Sequence, residues 1–226
     1  MLLIYSGGLD STSALYIFKD RIKLAISFDY GSKHNPMEIE CARVNCAKLG
    51  IPHKVIPLTS IGTHLKSSLL DRSVDVPHGH YAEDNMRSTV VPFRNGIMLS
   101  IAAGIAESNN ISTIMLASHR GDHAQYPDCT PLFNAGIRAA INAGTNNKVE
   151  LFTPFENMDK RQIAEEGVRN KLDPALTYSC YEGDTEHCGK CGTCVERIWA
   201  LKNSFDPTTY KDKEFAIKVL KGSKEW

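Results

Sequence analysis

The segment LLIYSGGLDSTSAL, Leu2 to Leu15, sets two glycines, a carboxylate and several hydroxyls directly after a short apolar run. Gly7 and Gly8 permit a tight turn with backbone N–H groups facing inward. A helix beginning near Ser11 adds the positive end of its dipole, so the segment reads as an anion cradle. Ser6, Ser11 and Thr12 supply further hydroxyl donors, and Gly7, Gly8 and Leu9 the backbone. No lysine follows the glycines, so this is neither the GxxxxGK[ST] phosphate loop nor GxGxxG. Asp10 beside an anion makes sense where Mg²⁺ bridges the carboxylate and phosphate oxygens.

A second constellation lies near the other end of the chain. Seven cysteines are an odd number, and four of them, Cys180, Cys188, Cys191 and Cys194, crowd into residues 180–194. Such clustering reads as a metal site rather than the disulfide framework of a secreted chain. Four thiolates with C-x2-C knuckles close a tetrahedral Zn²⁺ site with no open position, which is structural rather than catalytic. His187 is a minority alternative to one thiolate, and an Fe–S cluster is compatible with the same four ligands. Cys41, Cys46 and Cys129 read as buried apolar packers.

The elements that must position these residues follow from periodicity. The chain has 226 residues, 42% of them hydrophobic, enough for a full core and one domain over residues 1–226. Strands are expected at Leu2–Ser6, Lys23–Asp29, His53–Leu58, Ser112–Ser118 and Val149–Phe152. Helices are expected at Ser11–Lys19, Pro36–Leu49, Asn95–Ser108, Pro131–Gly144 and Asp159–Asn170, with Asp159 as an N-cap. This alternation predicts an open, doubly wound, parallel five-stranded α/β sheet with helices on both faces. The site belongs at the carboxyl ends of the strands. Residues 153–226 read as a C-terminal helical extension carrying the zinc site, and residues 60–92, poor in period, as a lid or binding loop.

Twenty-six basic against 26 acidic residues give formal charge zero. This removes the global electrostatic case for nucleic acid or a membrane surface as partner. No apolar run is expected to reach bilayer-spanning length and no signal segment precedes the first strand, so the expectation is a soluble, cytoplasmic protein.

SGGLDS resembles the SGGxDS signature of the PP-loop ATP pyrophosphatases, a Rossmann-like superfamily. The resemblance implies cleavage of ATP between its α and β phosphates, transfer of AMP to a substrate oxygen, and a loop that holds pyrophosphate. Further ordered stretches narrow it: VVPFRN at 90–95, GDHAQYPDC at 121–129, TPFENMDKRQIA at 153–164, SCYEG and CGKCGTC through Arg197, and DPTTY at 206–210. Together they resemble QueC, the 7-cyano-7-deazaguanine synthase family. That resemblance implies a carbon–nitrogen ligase converting 7-carboxy-7-deazaguanine, ammonia and ATP to the nitrile precursor of queuosine. The acid is adenylated and aminated, and the amide oxygen is then adenylated and lost. ATP, Mg²⁺ and Zn²⁺ are the implied cofactors, and a homodimer is common among relatives.

The residues suit such a substrate. A guanine-like base presents two adjacent donors, which a carboxylate reads best; Asp128 and Asp122 follow the fourth strand, and Tyr126 can stack on the heterocycle. Each is alternatively a loop residue capping the next helix. Arg94, opening a helix, can meet the substrate carboxylate or the α-phosphate, which with Asp10 and Asp128 completes the expected catalytic set. Asp29 stands either near the ATP ribose or adenine, or as the cap of a turn with Tyr30 and Gly31. His119 and His123 are acid–base candidates by residue type alone. Thr130 stands where the family commonly has an arginine, GDHAQ replaces D-[YF]-S-G, and VERIWALKNSF lacks a GF segment. One rival keeps the same fold and adenylation but conjugates the acid to a protein or other amine; another PP-loop enzyme such as a tRNA thiolase is a different class and would need a large basic face or an RNA-binding domain.

Overall fold

Side-chain direction along short apolar strands decides the two sides of the sheet. The computed structural model describes residues 1–80 and 84–222, with side chains for all of these except residues 123 and 124. Five strands, β1 (Leu2–Ile4), β2 (Leu24–Asp29), β3 (His53–Pro57), β4 (Thr113–Met115) and β5 (Glu150–Phe152), pair in the order β3-β2-β1-β4-β5. All four pairings are parallel. The intervening helices are α1 (Leu9–Ile17), α2 (Asn35–Leu49), α3 (Thr59–Gly62), α4 (Arg94–Ser108), α5 (Pro131–Gly144) and α6 (Lys160–Arg169). α7 (Gly192–Ala200) and α8 (Lys213–Gly222) follow.

Alternate strand residues face opposite layers, as a period of two requires. Leu2, Ile4, Leu24, Ile26, Phe28, Ile114 and Leu151 pack with Leu99, Ala102, Ala106 and Ile141 of α4 and α5. Leu3, Tyr5, Ala25 and Met115 pack on the other side with Ala14, Leu15, Cys46 and Ile163 of α1, α2 and α6. Because the order reverses between β1 and β4, their carboxyl ends diverge and leave a crevice, the usual ligand position of an open α/β sheet.

The strand ends are shorter than expected. β1 stops at Ile4 and β4 at Met115, because the chain peels away there to line the crevice. α1 starts at Leu9, two residues early, since Gly8 is extended and serves as its N-cap, which places Asp10 in the first helical turn. Asp159 caps α6 as expected, accepting from the Gln162 N–H at 2.9 Å, while Gln162 Oε1 returns the bond to the Asp159 N–H.

Two further expectations change. Described residues of 60–92 do not line the crevice. Instead Leu69, Val76, Met86 and Val91 are buried, and His78 bridges to Cys191, so the stretch braces the cysteine segment rather than forming a lid. The segment Asp84–Ser108 is long and apolar enough by composition to cross a bilayer, against the expectation that no run is. It is broken at residues 90–93, half of its most apolar window is buried inside the protein, and α4 itself has 15 residues where a span needs about 20.

The C-terminal segment is pinned by one side chain. Arg197 of α7 is fully buried. It donates to Thr208 Oγ1 at 3.0 Å, Thr177 Oγ1 at 2.7 Å, Ser179 Oγ at 3.2 Å and the Pro174 carbonyl at 2.7 Å. Removing a charged donor strands two buried acceptors, Thr177 Oγ1 and the Pro174 carbonyl, and two half-buried ones, so Arg197→Met is expected to lower the unfolding free energy by about 3 kcal/mol or more. A urea midpoint equal to that of the parent protein would contradict this.

Candidate active site and metal centre

The crevice encloses about 1090 Å³, open solvent at its mouth included. Its floor is the loop between β1 and α1. Gly7 has φ +95°, and a Cβ there would stand 2.0 Å from the Glu38 carbonyl oxygen of α2, so only glycine fits. The Ser6 and Ser11 hydroxyls lie 2.9 Å apart, and Ser6 Oγ accepts the Gly8 N–H. The N–H groups of Leu9, Asp10 and Ser11 open α1 without intrahelical partners, an arrangement chemically able to receive an anion.

Thr12 departs from expectation: its hydroxyl donates to the Gly8 carbonyl at 2.7 Å, meets Tyr5 OH at 3.2 Å, and is fully buried behind the loop. Gly7 likewise shapes the turn from outside the cavity, and Leu9 sends its side chain toward Tyr16 and Ala164.

Asp10 is the centre of a charged cluster. Its Oδ2 lies 3.0 Å from Lys160 Nζ of α6 and 3.7 Å from His119 Nε2. Burial alone would raise its pKa, but the Lys160 and His119 charges and the Lys160 hydrogen bond outweigh that and hold it below the ordinary carboxylate value. Lys160 also meets Glu196 Oε2 of α7 at 2.8 Å. Asp10 Oδ1 is buried with no hydrogen-bond partner, an orphaned acceptor that suits a hard cation.

The crevice is also lined by Arg94 at the start of α4. Its Nη1 donates to Tyr30 OH at 3.1 Å, and its guanidinium carbon lies 5.8 Å from the ring centroids of both Tyr30 and Tyr126. Tyr126 OH is 2.9 Å from Tyr181 OH and 3.2 Å from Thr89 Oγ1. Asp122 lines the crevice, its Oδ2 accepting the His119 N–H at 3.3 Å.

Asp128 does not line the crevice. Its Oδ2 accepts the Asn95 N–H at 2.7 Å while Asn95 Nδ2 donates to its carbonyl at 3.0 Å, so it caps the start of α4 and thereby fixes Arg94. Asp29 is also outside; its Oδ1 accepts the Gly31 N–H at 3.1 Å, the turn-capping alternative. Thr130 caps α5 by accepting from the Phe133 N–H. His119 is buried in the charged cluster, and the side chain of His123 lies outside the described residues.

The four cysteine sulfurs lie within 4.8 Å of one another and all are buried. Backbone N–H groups of Lys190 and Cys191 donate to Cys188 Sγ, and that of Cys188 donates to Cys180 Sγ, each at 3.3 Å. This arrangement neutralises part of the thiolate charge and fits a four-sulfur metal site. Among the described residues His187 does not join this group of candidate ligand atoms, and its Nε2 accepts the Ser179 N–H at 3.1 Å instead.

A family model described as "Queuosine biosynthesis protein QueC" matches residues 1–205. The chain belongs to the QueC family. A protein of Porphyromonas gingivalis named 7-cyano-7-deazaguanine synthase is 49% identical over 212 residues, covering 93% of this chain and 96% of that protein. Proteins of the same name from Desulfotalea psychrophila and Ruegeria pomeroyi are 46% identical, over 92% and 98% of this chain and 97% and 98% of theirs.

In this QueC chain, sequence reasoning did not single out Lys160, Glu196 or Glu38. A lysine in the first turn of a helix opposes the dipole, and that was the available signal for Lys160. Glu38, in the first turn of α2, gave none, since acidic residues are ordinary there.

Two outcomes are expected. Elemental analysis and X-ray absorption will find one zinc per chain with a sulfur shell near 2.3 Å, lost in Cys191→Ser; iron with acid-labile sulfide would show a cluster instead. Gly7→Ala will weaken ATP binding about tenfold or more, from roughly 1–3 kcal/mol of loop strain, read by calorimetry.

Proposed function

We propose that the protein converts 7-carboxy-7-deazaguanine, ammonia and ATP to 7-cyano-7-deazaguanine for queuosine biosynthesis, through an adenylated acid and then an adenylated amide. The observation that carries this reading is one crevice lined by an anion cradle, the Asp10–Lys160 pair and a tyrosine-flanked guanidinium. It occurs in a chain whose relatives bear that enzyme's name.

A carboxylate oxygen is a poor leaving group, and transfer of AMP to it makes the bond to carbon breakable. The charge that develops on departing pyrophosphate meets the N–H groups of Leu9 to Ser11, the Ser6 and Ser11 hydroxyls and Lys160, all fixed before reaction. Asp10, through its unpartnered Oδ1, would hold Mg²⁺, which supplies further charge neutralisation to the phosphates. Arg94 anchors the substrate carboxylate and Tyr126 lies against the heterocycle. Asp122 takes the base-reading role, since the Asp128 carboxylate is committed to α4. The cysteine centre shapes the crevice rather than reacting, contributing Tyr178, Ser179, Tyr181 and Thr193 to its wall.

The chain acts as one domain in the cytoplasm on small molecules, with zero formal charge arguing against a nucleic-acid partner. Exposed Phe93 and Leu132, at 59% and 85%, support a homodimer through the α4–α5 edge.

A mass-spectrometric time course with the acid, ATP, Mg²⁺ and ammonium tests the reading. The expected result is one AMP released as amide appears and a second as nitrile appears, with no AMP from Asp10→Ala. Amide without nitrile, or an adduct with a protein amine, would favour the conjugating rival; no AMP with this acid would reject the substrate.

A further inference from the structure

Conversion of ammonia to a nitrile nitrogen removes all three of its hydrogens as protons. One leaves when nitrogen attacks the acyl adenylate, as the bond from carbon to the AMP oxygen breaks and its electrons depart with AMP. Two leave from the adenylated amide, as the C–O bond breaks, AMP departs with that electron pair and C≡N forms. No oxidant is involved, but a base free to accept a proton near neutral pH is required at the reacting carbon.

The titratable groups of the crevice mostly fail this requirement. Asp10 is bound to Lys160, and Asp122 accepts the His119 N–H. Burial pushes the Tyr30, Tyr178, Tyr181 and Cys129 pKa values up, which keeps these groups protonated. Glu38 differs. It lines the crevice from α2, and its Oε1 stands 3.4 Å from where a Cβ on Gly8 would be, against the phosphate loop. Among the described residues its carboxyl accepts no hydrogen bond, and the nearest charged-type contact is His34 Nε2 at 3.8 Å.

We propose that Glu38 is the base that takes the nitrogen-bound protons in both halves of the reaction, an assignment resting on the synthase reading above. Burial pushes Glu38 up to about 8, against Arg94 of α4 and Lys160 of α6 and together with Asp10 of α1. The other facing groups are silent: burial pushes His34 down to about 3 and Cys41, one turn further along α2, up to about 11, so both stay neutral.

The test starts from the amide, which needs no ammonium and so removes ammonium's own titration. In the unaltered protein nitrile formation should rise with pH through about 8. Glu38→Gln should keep ATP–pyrophosphate exchange with the acid within about twofold, which also proves the fold. It should lose about 10²–10⁴ in nitrile formation together with the pH rise. Glu38→Asp should restore part of the rate and the rise. A Gln variant with the parent pH profile, or equal losses in exchange and nitrile formation, would overturn the assignment. No exchange in the unaltered protein would instead remove the synthase reading and Glu38's role with it.

Discussion

Lys160 holds the site together from a position with almost no access to water. An ammonium there is tolerable only because Asp10 and Glu196 face it at 3.0 and 2.8 Å, and its charge in turn opposes the rise that burial imposes on both carboxyl pKa values. The three come from α6, α1 and α7, so one charge network joins the phosphate loop to the helix that carries Cys194 and Arg197. Loss of the central cation leaves two carboxyl groups without their shared partner, and the loop and the cysteine segment lose their common support together.

That joint explains why a metal site with no open position belongs in this fold. The cysteine segment is too short and polar to bury a core of its own, and four sulfurs within 4.8 Å of one another give it a centre. Arg197 ties it to residues 174–179, of which Tyr178 and Ser179 line the crevice together with Tyr181. The Tyr126–Tyr181 hydrogen bond then closes that wall against the loop after β4. The cysteine cluster thus bears on the crevice by placing tyrosines along its wall.

Much of this was legible in the residue order. The five strands and their helices announce themselves through apolar runs and 3.6-residue period, and the glycine pair and clustered cysteines identify their sites because both depend on contiguous spacing. The roles of single polar residues were not legible. Asp128 and Asp29 carry the chemistry a ligand wants, yet backbone N–H groups at Asn95 and Gly31 claim them, and such claims depend on approach distances the sequence does not contain. Glu38 shows the converse: an acidic residue in a first helical turn looks ordinary until burial changes what it costs.

The sequence by itself determined the sheet, the anion loop, the four-sulfur cluster and the family, because each rests on local pattern or on residues a few positions apart. The tertiary structure decided which acids face the crevice, that residues 60–92 brace the cysteine segment, and that Lys160 bridges three helices. Those are properties of residues far apart in the chain brought within a few ångströms in a low-dielectric interior, where a neighbour's charge or N–H outweighs the residue's own type.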